Sequence, residues 1–223
     1  MADFLSTRLL ILRKTPYSDT SLVVAGVSPE AGQLHFLVRG ARRIGKRQFP
    51  LADLFRELAI QYRPGRGDLY SWHSAELVED FSAVAQQPAR FEAACRLARF
   101  ALANLHAGIA QPRCYLALTV ALRRLAAEPA GGPASVPGPA ESTPAVPTAI
   151  ETALVGMALV FLDEHGLLST FPSALGGADA GAAWLAQAGG AAVTRPRSPE
   201  EGQRVRHWLR YALLDADFKA VPF

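Results

Sequence analysis

Turn-forming clusters cut the first 80 residues of this 223-residue chain into five short apolar segments. S-T-R-L-L-I-L-R-K, 6–14, is an apolar run with basic ends. T-P-Y-S-D follows, with Pro16, Ser18 and Asp19 as turn formers. T-S-L-V-V-A-G-V, 20–27, is β-branched and apolar, and S-P-E-A-G, 28–32, closes it. Q-L-H-F-L-V-R, 33–39, is a third strand. D-L-F-R-E-L-A-I-Q-Y, 53–62, has the propensity of a helix, but short turns on both sides favour a strand. R-P-G-R-G-D, 63–68, reads as a hairpin turn. L-Y-S-W-H-S-A-E-L, 69–77, alternates, with Leu69, Ser71, His73, Ala75 and Leu77 on one side and Tyr70 and Trp72 on the other.

Five short strands with tight turns predict a small closed sheet, and the five-stranded oligonucleotide-binding (OB) barrel is one such architecture. Between strands three and four lies R-G-A-R-R-I-G-K-R, 39–47, with five basic residues and no acid. Such a loop can neutralise phosphates without reading bases. Charge is uneven along the chain. Residues 1–75 hold 11 Lys and Arg against 6 Asp and Glu, and the remainder holds 12 against 14, within an overall +3. An electropositive N-terminal domain beside a near-neutral remainder points to a polyanion as partner; ordinary solubility is the alternative. Phe36, Tyr62, Tyr70 and Trp72 are candidates for stacking on bases or for the core, and Phe36 is expected to be buried.

The remainder reads as helical. In residues 87–106, Phe91, Ala94, Cys95, Ala98, Leu102 and Leu105 recur at three and four residues, the pattern of an amphipathic helix. A second helix spans 114–127, with Leu116, Val120 and Leu125 inward. A third runs from 148 to 165, with Gly166 as its C-cap. A short helix is expected around Trp184 and Leu185. The last helix starts at Ser198, with Pro199 at its first position and Glu201 three residues after the cap. Residues 128–147 hold six prolines and three glycines and read as a flexible loop. The expected organisation is a barrel over 1–80 and a helical domain over 81–223.

Several chemistries find no support. Cys95 and Cys114 lack the closely spaced pairs of a zinc site, and the five histidines are scattered. Gly40 and Gly45 have a P-loop's spacing, but Arg47 replaces the required hydroxyl. No acid–base pair or nucleophile elbow emerges, so no catalytic residue, metal or cofactor is expected. Asp3 and Arg8 interrupt the early apolar residues, so no signal peptide is expected; no run reaches membrane-spanning length, and a cytoplasmic protein is the expectation.

Three ordered segments resemble the bacterial recombination and repair family RecO: K-T-P-Y-S-D-T-S-L-V-V, 14–24; G-Q-L-H-F-L-V-R-G-A-R-R, 32–43; and G-R-G-D-L-Y-S-W-H-S-A-E-L, 65–77. The resemblance covers about the first 80 residues. It implies an OB-fold barrel followed by a helical domain. It implies a protein that binds single- and double-stranded DNA and anneals complementary strands. It also implies partnership with a RecR-like mediator and with single-stranded DNA-binding protein, in loading recombinase near the nucleoid. The family's basic surface maps onto Arg39, Arg42, Arg43, Lys46 and Arg47, with Arg13, Lys14 and Arg66 as further candidates. Many members carry a four-cysteine zinc site opening with C-x-x-C; here G-L-L-S-T-F-P-S, 166–173, stands instead, and no zinc is expected. Three rival readings are an interaction adaptor with incidental nucleic-acid contact, an RNA-binding protein of the same fold, and a hydrolase, against which the missing catalytic constellation counts.

Overall fold

The computed structural model describes residues 4–41, 51–65, 68–127, 149–168, 171–192, 198–219 and 222–223. Five strands form a closed barrel: β1 (Leu5–Pro16), β2 (Leu22–Ser28), β3 (Gly32–Val38), β4 (Arg56–Pro64) and β5 (Tyr70–Asp80), in the order β1-β2-β3-β5-β4. This is the expected OB-fold. The helices are α1 (Pro88–Asn104), α2 (Pro112–Ala127), α3 (Ala149–Glu164), α4 (Gly177–Ala188) and α5 (Pro199–Asp215). Two compact units result: Met1–Ser82 with Ala98–Tyr115, and Ala83–Leu97 with Leu116–Phe223. The 128–147 segment, expected to be a flexible loop, lies outside the described residues.

Strand β1 is the hinge of the barrel. Its first half pairs antiparallel with β4, Leu5 opposite Tyr62 through Leu10 opposite Glu57. Its second half pairs with β2, Leu10 opposite Val27 through Pro16 opposite Leu22, with a break in register between Ile11 and Arg13. An extra residue there bends the strand, so that one strand serves both sides of the sheet. Alternation then fills the interior. Leu34, Phe36 and Val38 of β3 point in, between the outward Gln33, His35 and Leu37. Leu9, Ile11, Val24, Leu58, Ile60 and Tyr62 join them in one cluster.

The fifth strand departs from the simple alternation read from sequence. Tyr62 faces Trp72 and Gln61 faces Ser74, which leaves His73 as an extra residue. The bulge reverses the phase, and Ala75 joins Tyr70 and Trp72 on the core side.

One buried carboxylate ties the barrel to the segment that follows α1. Glu57 is buried on β4, where alternation with Leu58 would send it to the outside. It accepts a hydrogen bond from Tyr115 Oη at 2.9 Å and another from Arg8 Nη1 at 3.2 Å. A carboxylate can be held out of water only with such donors. The same segment docks by backbone. Gln33 N–H donates to His106 O at 3.3 Å, Gly108 N–H to Ala31 O at 2.9 Å, and Gln111 N–H to Pro29 O at 3.1 Å. Gly32 permits this approach. Its φ is +63°, and a Cβ there would lie 2.1 Å from His106 O.

In the second unit, α3 is the central helix. Every residue from Ala153 to Leu162 is buried, as expected of a helix apolar on all sides. Gly156 lets α4 approach, since a Cβ there would meet Ala188 Cβ at 3.0 Å. Helix α5 packs Val205, Leu209 and Leu213 inward. It begins as expected, with Ser198 Oγ accepting from Glu201 N–H at 3.2 Å. Gly166 takes the left-handed conformation just beyond α3, at φ +70°. In α1 the buried stripe is turned from the expected one. Ala94, Ala98 and Leu105 are buried, but so are Leu97, Phe100 and Ala101, whereas Phe91 is exposed and Cys95 and Leu102 are half-buried. Leu116 of α2, expected inward, is exposed too, while Val120 and Leu125 are buried as read. Both helices are rich in alanine, so more than one face is apolar and periodicity alone does not choose between them.

Burial and the neighbouring Glu57 carboxylate push the Tyr115 phenol well above its ordinary value. Its contribution is therefore complete below the unfolded-state ionisation near pH 10, and falls as pH rises beyond it, because only the unfolded chain ionises readily. Tyr115→Phe leaves Glu57 one donor short and should lower unfolding free energy by about 1–3 kcal/mol in urea at neutral pH. Its loss of stability between about pH 10 and 11 should be shallower than wild type's.

Candidate nucleic-acid interface

Three chain segments converge at one mouth of the barrel. The β1–β2 turn is closed by two backbone bonds, from Tyr17 N–H and Ser18 N–H to Ser21 O, at 3.1 and 3.4 Å. The end of β3 lies beside it, with Leu37 opposite Val23. The β4–β5 hairpin completes the mouth. Leu37 pairs with Ser71 on one side, and Arg63 with Ser71 and Pro64 with Tyr70 on the other. Gly65 permits a close approach of the two strand ends, since a Cβ there would sit 2.1 Å from Leu69 O. Together these segments line a cleft of about 780 Å³, with Tyr17, Ser21, Arg39, Arg63 and Tyr70 among its walls. In OB-folds the loops between strands 1 and 2 and between strands 4 and 5 flank the ligand-binding face.

The cleft carries positive charge. Arg39 and Arg63 are exposed, and no carboxylate lines it among the described residues. Arg39 is the residue expected here from sequence. Arg63 and Tyr17 are additions that the structure makes. The signal for Arg63 is present in the sequence, because it opens the same R-P-G-R-G-D turn that supplies Arg66. Tyr17 stands between the turn formers Pro16 and Ser18, where nothing in the spacing marks it.

Arg13 and Lys14 differ from Arg39. Arg13 is exposed and stands in a row across the sheet, opposite Ala25, which in turn faces His35. Burial first, and then the Arg13 charge, hold the His35 imidazole below its ordinary value, although Asp68 acts in the other direction. His35 is therefore neutral at pH 7 and adds no charge to this face. Gln33 Nε2 lies 2.9 Å from His35 Nε2, an amide donor to the ring nitrogen. Lys14 is ion-paired with Asp53. Burial would raise the Asp53 carboxyl, but the bond from Lys14 and the backbone N–H of Leu54 outweigh it and hold the group below its usual range. Part of the Lys14 charge is thus already matched within the protein. Arg42, Arg43, Lys46, Arg47 and Arg66 lie outside the described residues.

Of the four aromatic residues named as stacking candidates, Phe36 and Tyr62 are buried, and Tyr70 and Trp72 pack against the same core. Their rings meet one another, Phe36 with Tyr62 at 5.4 Å, Phe36 with Trp72 at 5.8 Å and Tyr62 with Tyr70 at 5.2 Å. They serve the barrel interior, and Tyr70 alone among them also borders the cleft.

The helical unit has a separate cleft of about 850 Å³, lined by Leu162, Leu167, Trp208, Tyr211 and Leu214 among others. Arg204 and Arg210 are exposed on the same helix as Trp208 and Tyr211. No helix among the described residues is long and apolar enough to cross a membrane. Among the described residues no three His, Cys, Asp or Glu side chains gather as metal ligands would.

No curated protein matches the chain. A family model does: residues 1–81 match the family described as Recombination protein O N terminal. That span is the five strands of the barrel, together with the mouth just described. The barrel that opens this chain thus belongs to the recombination protein O family, an OB-fold domain with a role in DNA recombination and repair.

Proposed function

We propose that this protein is a non-enzymatic DNA-binding protein that anneals complementary single strands and assists recombinase loading in gap and break repair. The observation that carries this reading is the barrel mouth, where two OB-fold ligand loops meet Arg39 and Arg63 in a cleft that no acid lines among the described residues. On this reading residues 1–80 bind nucleic acid and residues 81–223 form the helical domain.

Annealing makes and breaks no covalent bond in the protein or the DNA. Two phosphate backbones repel each other, and a cationic surface offsets that repulsion while base pairing proceeds. Arg39, Arg42, Arg43, Lys46 and Arg47 supply the charge, and Arg13, Lys14 and Arg66 extend it. None needs to read a base, so binding is independent of sequence and sensitive to salt. The DNA-coating protein must be engaged while it sits on the strand. That contact, and the one to a RecR-like mediator, fall on this reading to protein surface beyond the cationic mouth. The helical cleft beside Trp208 and Tyr211 offers apolar surface for one of them. A cytoplasmic, nucleoid-associated location follows from the substrate.

Fluorescence anisotropy of a labelled strand of roughly 30 nucleotides, longer than one OB-fold's usual footprint, tests the reading across a salt series. Wild type should bind, and R39A/R42A/R43A/K46A/R47A should bind more weakly. The variant's plot of log K against log salt should be shallower by about 0.7 for each phosphate that it no longer neutralises. It should also anneal complementary strands more slowly. No wild-type binding at low salt would move the weight to the adaptor reading.

Asp53→Asn should act oppositely. Releasing Lys14 from its carboxylate should steepen the salt plot by up to about 0.7 and strengthen strand binding. An unchanged slope would remove Lys14 from the interface.

A further inference from the structure

The cleft at the barrel mouth differs from a plain cationic patch in carrying an exposed aromatic ring. Tyr17 is 65% exposed, although its backbone is held in a closed turn by the two bonds to Ser21 O. The other rings of this region, Phe36, Tyr62, Tyr70 and Trp72, pack on one another. Tyr17 stands apart from that cluster, on the turn that forms one wall of the cleft. The cleft's volume of about 780 Å³ is within the range of sites that take small ligands.

We infer that this cleft is a single-stranded DNA subsite in which Tyr17 stacks on one unpaired base while Arg39 and Arg63 hold the flanking phosphates. The inference rests on the DNA-binding reading and deepens it by naming the strand state the mouth accepts. Three features of the site support it. Every base has a π-face, so one tyrosine ring grips any sequence. The ring is carried on a hydrogen-bonded turn, so little freedom is lost when a base arrives. Arg39 leaves the end of β3 and Arg63 the end of β4, and both border the same cleft as the ring. A base still paired and stacked in a duplex cannot reach such a site without being extruded. The mouth therefore favours the single strand, and the cationic residues outside it serve either form.

The test compares wild type, Tyr17→Ala, Tyr17→Phe and Arg63→Ala in one anisotropy titration. Both positions are exposed, and circular dichroism with thermal melting confirms that each variant is folded. The probes are a labelled oligo-dT strand, the same strand with abasic sites throughout, an oligo-rU strand of equal length, and a DNA duplex. Tyr17→Ala should weaken oligo-dT binding about tenfold. Tyr17→Phe should keep it, and duplex binding should be unchanged in both. Wild type should lose a similar factor on the abasic strand, where Tyr17→Ala should cause no further loss. Arg63→Ala should make the salt plot for oligo-dT shallower by about 0.7. The inference is overturned if Tyr17→Ala binds oligo-dT as wild type does, if the abasic strand binds as tightly as oligo-dT, or if oligo-rU binds more tightly than oligo-dT. Wild type that binds duplex but fails these comparisons sinks the subsite alone. Wild type that binds no DNA probe sinks the DNA-binding reading with it.

Discussion

The barrel closes on a parallel seam only two residue pairs long, Phe36 with Tyr70 and Leu37 with Ser71. Ladder hydrogen bonds are few at that seam, so side-chain packing has to hold it. Phe36 supplies that packing from the inside. It is fully buried and meets Tyr62 at 5.4 Å and both Tyr70 and Trp72 at 5.8 Å. Buried aromatic side chains contribute the largest apolar areas a small core can offer, and edge-to-face contacts add to that. Leu37, Tyr70 and Ser71, at the seam itself, also line the cleft. The core that closes the barrel and the cleft at its mouth thus share one element, with Phe36 on the inner side and the cleft on the outer.

This arrangement explains why the mouth is formed by turns. In an OB barrel the ligand-binding face lies on the outside of the sheet, and the loops at one end flank it. Here three segments end together at one mouth, and the charged residues they carry have no structural duty in the core. Arg39 and Arg63 remain exposed, whereas Arg8 and Lys14 are drawn into pairs with Glu57 and Asp53. Positive charge in the first third of the chain is therefore divided. One part is matched by the protein's own carboxylates, and the other is exposed at the end of the barrel. On the proposed function, such a surface would hold two strands loosely and release them as a duplex, because phosphate contacts are exchanged readily with salt.

Much of the fold was legible along the chain. The turn clusters S-P-E-A-G and R-P-G-R-G-D delimit strands that the structure places within a few residues of their expected ends. The cap at Ser198 and the break at Gly166 were equally plain, because each rests on local backbone chemistry. The aromatic side chains were harder. Tyr70 and Trp72 are on the core side because His73 is an extra residue in the pairing with β4, and a bulge of that kind leaves no mark in a run of alternating residues. Glu57 reads as an outward strand residue, and its burial depends on Tyr115, far along the chain. In α1 the many alanines gave several apolar faces, and Leu97 and Phe100 proved to be on the buried one.

The sequence by itself determined the number of strands, the helical remainder and the electropositive character of the first third, because turns, periodicity and charge are local properties. It also pointed to Arg39, which borders the cleft. Only the tertiary structure decided which cations pair with the protein's own carboxylates and which border the cleft. It alone brought Tyr17, Arg39 and Arg63 to one cleft, from three turns separated along the chain. The reason is geometric: a barrel joins the ends of distant strands, and no spacing rule within a single segment records which ends will meet.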